Sequence, residues 1–253
     1  MKYITWKNTP DIISGTSLRD TSYLENFNLA LHVGGNLDDI INNRIEFSKK
    51  LGIKLNDWVF AQQTHSDICI KVSVSDKGRG ALDYSTSIPL ADALYTTDAN
   101  VMLGVFHADC VPVLLYDPTL HLVCAIHSGW LGTVKEITLK TVNMLIAKEG
   151  VNPNNLLAYI GPAIGFNNFE VDTDVITQVK AMSIDTADYI NYRPNSTKAY
   201  VDTKGLNKAQ LIAAGVPATS IDVDSNDTFS NDKLFSYRRD HSCGRHITFI
   251  MLK

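Results

Sequence analysis

Apolar positions along the chain follow two spacings, one helical and one extended. From Asn36 the segment "NLDDIINNRIEFSKKLGI" places Ile40, Ile41, Ile45 and Phe47 on one broad helical face. The Asn36 amide can cap the first turn, Asp38 and Asp39 complement the positive helix end there, and Gly52 closes it. Two β-rich runs follow, "DWVFAQQTH" and "DICIKVSV", split by Thr64-His65-Ser66-Asp67, so His65 falls at a strand end. The next stretch, "SDKGRGALDYSTSIPLADA", reads as loop. The central runs "NVMLGVFHAD", "CVPVLLYDP" and "HLVCAIHSGW" are apolar enough for burial on both faces, which predicts a β-layer core.

Helical spacing returns from Thr133 to Lys148, with Val134, Ile137, Leu139, Val142, Leu145 and Ile146 facing the core and Gly150 and Pro153 ending the run. "NLLAYIGPAIG" predicts a strand into a tight loop, residues 172–182 and "DTKGLNKAQLIAAGV" two further helices, and "SIDVD" and "HITFIML" two strands. There is no internal repeat and no low-complexity linker. The pattern therefore predicts one mixed α/β domain over residues 1–253, without fixing the strand order.

At 253 residues the chain can bury a sizeable core, and 45% hydrophobic with 20% charged residues is the balance of an ordinary globular protein. A net charge of −4 with scattered Lys and Arg lacks the basic stripe that a nucleic acid requires, although a small anion needs only one or two cations. The N-terminal "MKYITWKNTPDII" has no secretory h-region, and no apolar run reaches membrane-span length, so the expected compartment is the cytoplasm with no membrane partner. In a reducing compartment Cys69, Cys110, Cys124 and Cys243, which lack CxxC spacing, must be explained singly. Cys69 and Cys124 sit in apolar strands and read as core.

The stretch "VFHADCVPVLLYD" places Asp109 and Cys110 side by side, and three strand ends carry His65, Cys110 and His127. A thiolate and two imidazoles suit zinc, and three protein ligands leave a fourth position for water or substrate. Bound water would then have a pKa of roughly 7, which makes hydrolysis or deamination accessible. The spacing has no compact ligand signature, and a buried Cys is also a common small core residue. A further reading makes Cys110 a nucleophile activated by His127 or His107, with Asp109 orienting the imidazole. Along a straight strand His107 and Asp109 share a face that Cys110 does not, unless the chain bends, and Pro112 favours an edge or bend. Asp109 is either a proton carrier beside the metal or a turn cap.

In "FSYRRD", residues 235–240, Phe235 and Tyr237 can hold a planar base while Arg238 and Arg239 can fork phosphate or carboxylate oxygens. Adjacent arginines alternate sides in an extended chain, so at most one reaches a given pocket. "GPAIG" offers flexible backbone but is neither a Rossmann nor a P-loop signature.

Together, "NFNLALHVGGN", "NR" at 43–44, "QTHS", "ADALYTT", "HADCVPVLLYD", "HSGWLGT", "IGPAIGFNNFEV" and "FSYRRDHSCGRH" closely resemble the YfiH-like family, also called the laccase-domain or multicopper polyphenol oxidase family. The ordered blocks span nearly the whole chain. The resemblance implies a layered α/β sandwich with β-layers inside and helices outside, and zinc held by His65, Cys110 and His127. It also implies purine nucleoside phosphorylase activity on adenosine, inosine, guanosine or methylthioadenosine, with adenosine deaminase activity. The alternative is a zinc or cysteine amidase editing muramyl precursors of peptidoglycan.

On this resemblance Asp109, Cys110 and His127 become the catalytic candidates, Arg44, Arg238 and Arg239 the anion contacts, Phe235 and Tyr237 the base contacts, and Gln63 a substrate contact. Copper fits less well than zinc, because a multicopper centre consumes many imidazoles, often as H-x-H, and this chain has seven His and no such pair. A non-catalytic zinc-binding module remains a third reading, with His107 as a fourth ligand. The chain departs from the family's usual "HAGWRG" at Ser128 and Leu131, carries His107 where Thr is common, reads "NDT" at 226–228 in place of a Cys-Thr pair, and has Ala30 for a usual Gly. Leu131 removes a positive charge near His127, which bears on phosphate handling.

Overall fold

The structure is a computed structural model that describes residues 2–253. Its strands, in chain order, are β1 (Tyr3–Asn8), β2 (Ile12–Ser17), β3 (Trp58–Phe60), β4 (Cys69–Lys71), β5 (Ala93–Thr96), β6 (Met102–His107), β7 (Val111–Asp117), β8 (Leu122–Ser128), β9 (Leu157–Ile160), β10 (Glu170–Val171), β11 (Ile190–Tyr192), β12 (Ala199–Val201), β13 (Ile221–Val223) and β14 (His246–Leu252). The α-helices are α1 (Leu37–Leu51), α2 (Trp130–Val134), α3 (Ile137–Glu149), α4 (Thr173–Lys180) and α5 (Thr203–Ala213).

Two large mixed sheets, ordered β1-β2-β14-β6-β3 and β13-β9-β7-β8-β5-β4, pack face to face. Alternation along each strand explains why both faces are apolar. On β7, Leu114 and Tyr116 enter the layer between the sheets, where they meet Leu103 and Val105 of β6 and Ile250 of β14. Val111, Val113 and Leu115 point the other way, onto Ile137, Val142 and Leu145 of α3 and Leu211 of α5. The outer face of the five-stranded sheet packs Phe60, Met102, Phe106 and Phe249 against Phe47 of α1. Helices thus cover both outer faces. Cys124 lies fully buried in this core with Cys69 packed against it, which gives both thiols the packing role expected for them.

Local signals explain the helix ends. The Asn36 side chain accepts from the N–H groups of Asp38 and Asp39, and Gly52 closes α1 in the left-handed conformation. The single helix expected over 133–148 is two, because Gly129 starts α2 early and Glu136 takes a left-handed φ of 61° between them. The Glu136 carboxylate accepts from Ser183 N–H and hydroxyl, tying this break to the segment after α4.

The sequence pattern did not predict β1, β2, β5 or the small sheet β10-β12-β11. That sheet packs Val171, Ala199 and Val201 against Ile176 and Val179 of α4, forming a separate apolar cluster beside the sandwich. Among the described residues no helix is long and apolar enough to cross a membrane.

Candidate metal centre and adjoining cavity

At one end of the sandwich, two loops and the end of a strand bring His65, Cys110 and His127 together, each offering one donor atom, with all three donors within 4.8 Å of one another. His65 sits in the turn between β3 and β4 with φ +57°. Cys110 follows Asp109, whose φ of +82° supplies the bend between β6 and β7 that allows the thiol and the carboxylate to line the same cavity. His127 lies near the end of β8, opposite Pro112 of β7.

A residue not singled out in the sequence organises this set. Asp92, just ahead of β5 and 1% exposed, accepts hydrogen bonds from the N–H groups of Thr64 (3.0 Å), His65 (3.1 Å) and Ser66 (2.7 Å), and from the Ser66 hydroxyl (2.7 Å). Its other strong partner is His127 Nδ1 at 2.8 Å, which leaves Nε2 for the thiol. Burial raises the Asp92 pKa, but the His127 hydrogen bond and charge and the Ser66 bonds outweigh it and hold the group at about 2.

The donors are poised for a cation. Burial raises the Cys110 pKa, yet the His127 charge and hydrogen bonds to His127 and His65 bring it to about 6. Burial likewise depresses His127, but Cys110 and Asp92 lift it to about 9. His65 Nε2 stands 4.0 Å from the Cys110 sulfur. A metal-free centre therefore favours a thiolate beside an imidazolium, and a thiolate with two imidazoles is a zinc donor set. Gly129 forms the wall: a Cβ there would lie 2.5 Å from His65 Cδ2 and 3.1 Å from Cys110 Sγ. These observations fit a single zinc with three protein ligands. Among the described residues no second group of three such donors was found, which does not suit a copper cluster.

The centre opens into a cavity of about 510 Å³. One wall is apolar, from Trp130, Ile164, Phe169 and Val175, while Glu170, Asp172 and Asp174 add carboxylates. Asp109 is fixed in it by the Thr228 hydroxyl and the Arg238 N–H, each at 2.6 Å. Arg238 also lines the cavity, its guanidinium over the Phe169 ring and bonded to the Glu170 carbonyl, and Tyr237 joins it.

The other expected substrate contacts are not brought here. Arg44 is 1% exposed, donates to the carbonyls of Leu29, Gly80 and Ala81, and lies over the rings of Phe60 and Phe106, which corrects its expected role as an anion contact. The Arg239 guanidinium is committed to the carbonyls of Thr228, Phe229, Asn231 and Leu234, so it is a loop brace rather than an anion site. Phe235 is buried against Ala108 and Cys243 and is absent from the cavity lining. Gln63 clamps Phe106 with its amide, donating to the carbonyl and accepting from the N–H, and is absent from the cavity lining. His107 is no fourth ligand: its Nε2 pairs with the Thr248 hydroxyl at 2.7 Å within the core.

Fold and site together define a two-sheet α/β sandwich with a His-Cys-His group at its rim that could bind a metal. Residues 14–253 match the family model described as multi-copper polyphenol oxidoreductase laccase. The chain belongs to this family, which is also the YfiH-like family. It is 36% identical over 255 residues to purine nucleoside phosphorylase YlmD of Bacillus subtilis strain 168, covering 98% of this chain and 91% of that one. It is 34% identical over 197 residues to adenosine deaminase RL5 from an unknown prokaryotic organism, covering 77% and 74%. Its fold superposes on the crystal structure of the Bacillus licheniformis hypothetical protein YfiH with a TM-score of 0.93 at 34% identity, covering 98% and 99%. These relatives support a purine-processing enzyme of the YfiH family.

Proposed function

We propose that the protein is a zinc enzyme that cleaves purine nucleosides by phosphorolysis and also deaminates adenosine. The observation that carries this reading is the opening of the His65-Cys110-His127 group into a cavity large enough for a nucleoside, with Asp109 fixed beside it. Zinc, when bound, supplies a Lewis acid and a water of pKa near about 7. The surrounding groups divide the remaining work. Asp109, anchored by Thr228 and the Arg238 N–H, holds or returns the proton that leaves water or protonates the departing purine. Arg238 is the cavity's guanidinium for phosphate, and Tyr237 and Phe169 offer aromatic surface for the base. Asp174 can accept a hydrogen bond from a ribose hydroxyl, whereas Glu170 is held by Arg193 and Lys198 and Asp172 by Lys198.

Leu131 makes Arg238 the main remaining phosphate contact, so phosphorolysis depends on one side chain.

The test incubates purified protein with adenosine, with and without phosphate, identifies the products and measures bound metal. Phosphate-dependent adenine supports phosphorolysis, and phosphate-independent inosine supports deamination. A zinc-replete sample that yields neither, or that releases amino acids from muramyl peptides instead, overturns the nucleoside reading.

A further inference from the structure

We infer that Asp92 is the positioning residue of the metal centre: one buried carboxylate sets both imidazole ligands at once, His65 through its backbone and His127 through its tautomer. The inference rests on the zinc reading above. The N–H groups of Thr64, His65 and Ser66 converge on the Asp92 oxygens, and three successive N–H groups around a left-handed residue form a concave anion site. His65 occupies that left-handed position at φ +57°, a conformation unusual for a non-glycine residue and one that this carboxylate stabilises.

On the other side, Asp92 Oδ1 stands 2.8 Å from His127 Nδ1. An ionised carboxylate only accepts, so Nδ1 carries the proton and Nε2 is the nitrogen that would hold a metal. The Asp92 carbonyl adds a bond from the His127 N–H at 2.7 Å, so backbone and ring of this ligand are both tied to the same residue. Ligand geometry and ligand basicity are therefore coupled through one side chain, and disturbing it should affect two of three zinc ligands together.

Asp92→Asn separates the two roles. With its oxygen turned to the Thr64 and Ser66 N–H groups, the amide NH₂ faces the His65 N–H and His127 Nδ1 and favours the tautomer protonated at Nε2, the wrong one for a ligand. With the oxygen turned to His127, the NH₂ faces backbone donors. Either way zinc affinity, measured by chelator competition, should fall about 10- to 100-fold, the usual size for loss of a partner that orients a ligand. The cobalt-substituted variant should also show altered d–d bands, which a purely structural role would leave unchanged in the folded protein.

A folded Asp92→Asn protein with wild-type zinc affinity overturns the inference. Should that variant not fold, the wild-type protein decides: nitrogen NMR of the zinc form should show His127 bound through Nε2 with a downfield Nδ1 proton, and binding through Nδ1 overturns it. If the wild-type protein takes up no zinc, the metal reading itself fails and this inference with it.

Discussion

Two histidine pairs sit at this end of the sandwich with similar ring separations and opposite chemistry. His65 and His127 are 5.0 Å apart, and His107 and His246 are 5.4 Å apart. His127 faces Asp92 and Cys110, two potential anions, and is lifted to about 9 despite burial. His107 and His246 meet only neutral partners, the Thr248 hydroxyl and the Phe235 N–H, which donates to His246 Nε2. Burial therefore dominates, joined for His107 by the charges of His246, His127 and Arg245 and for His246 by those of Arg245 and Arg239: His107 falls well below the usual range and His246 to about 3. What separates the pairs is an anion within hydrogen-bond reach, because all three core imidazoles are buried to a similar degree. One pair is built to meet a cation, and the other to remain neutral in the core.

Removing the thiolate should erase most of the difference between the two pairs. Cys110→Ala takes away one of three ligands and the negative charge that lifts His127. Zinc affinity should fall by more than about 100-fold, beyond the loss expected for an orienting partner alone, and turnover should go with it. Metal analysis after dialysis checks this, and full zinc occupancy would refute the ligand assignment. Treating the wild-type protein with a chelator should cost the same activity and zinc should restore it.

A smaller effect is expected from Gly129→Ala. The new methyl would fall 2.5 Å from His65 Cδ2, so the ring must move, while α2 beyond it can keep its packing. Zinc affinity should drop about tenfold, in the range for misoriented ligands, with far-ultraviolet circular dichroism unchanged. Wild-type affinity would show that the ring has room the structure does not offer.

Much of the frame was legible because the signals were local. The Asn36 cap, the Gly52 stop and the two-faced apolarity of β7 and β8 follow from short-range rules. The proposed ligand triad required the family resemblance, since no spacing brings residues 65, 110 and 127 together without the fold. Arg44 carried a readable warning: it stands between Ile40 and Phe47 at helical spacing, on the buried face of α1, where a guanidinium must bond carbonyls. Asp92 was also signalled, as a lone carboxylate entering the apolar run of β5, but the loop reading of the preceding segment concealed that strand. The bend at Asp109 was anticipated only as a condition, and the structure supplies it through a left-handed residue.

The smallest expected effect concerns the neutral pair and its pH dependence. Unfolded histidine titrates near about 6.5, whereas His246 does so at about 3 and His107 well below its usual range in the fold. Between those values the unfolded chain binds more protons than the folded one, so these groups make stability fall as pH drops below about 6.5. Each contributes a slope of at most about 1.4 kcal/mol per pH unit. His107→Thr removes one such group while leaving the zinc ligands and the cavity lining intact. Zinc affinity and turnover should stay within about twofold, since no ligand or orienting partner of the kind that costs 10- to 100-fold is lost. Urea titrations of the metal-free proteins between about pH 5 and 6.5, above the carboxylate range, should show a shallower decline for the variant. The thiol and His127 contribute to both curves, so the difference between the curves reports His107 together with its charge coupling to His246 and His127. An unchanged slope together with lost zinc would place His107 with the metal pair and dissolve the distinction between the two.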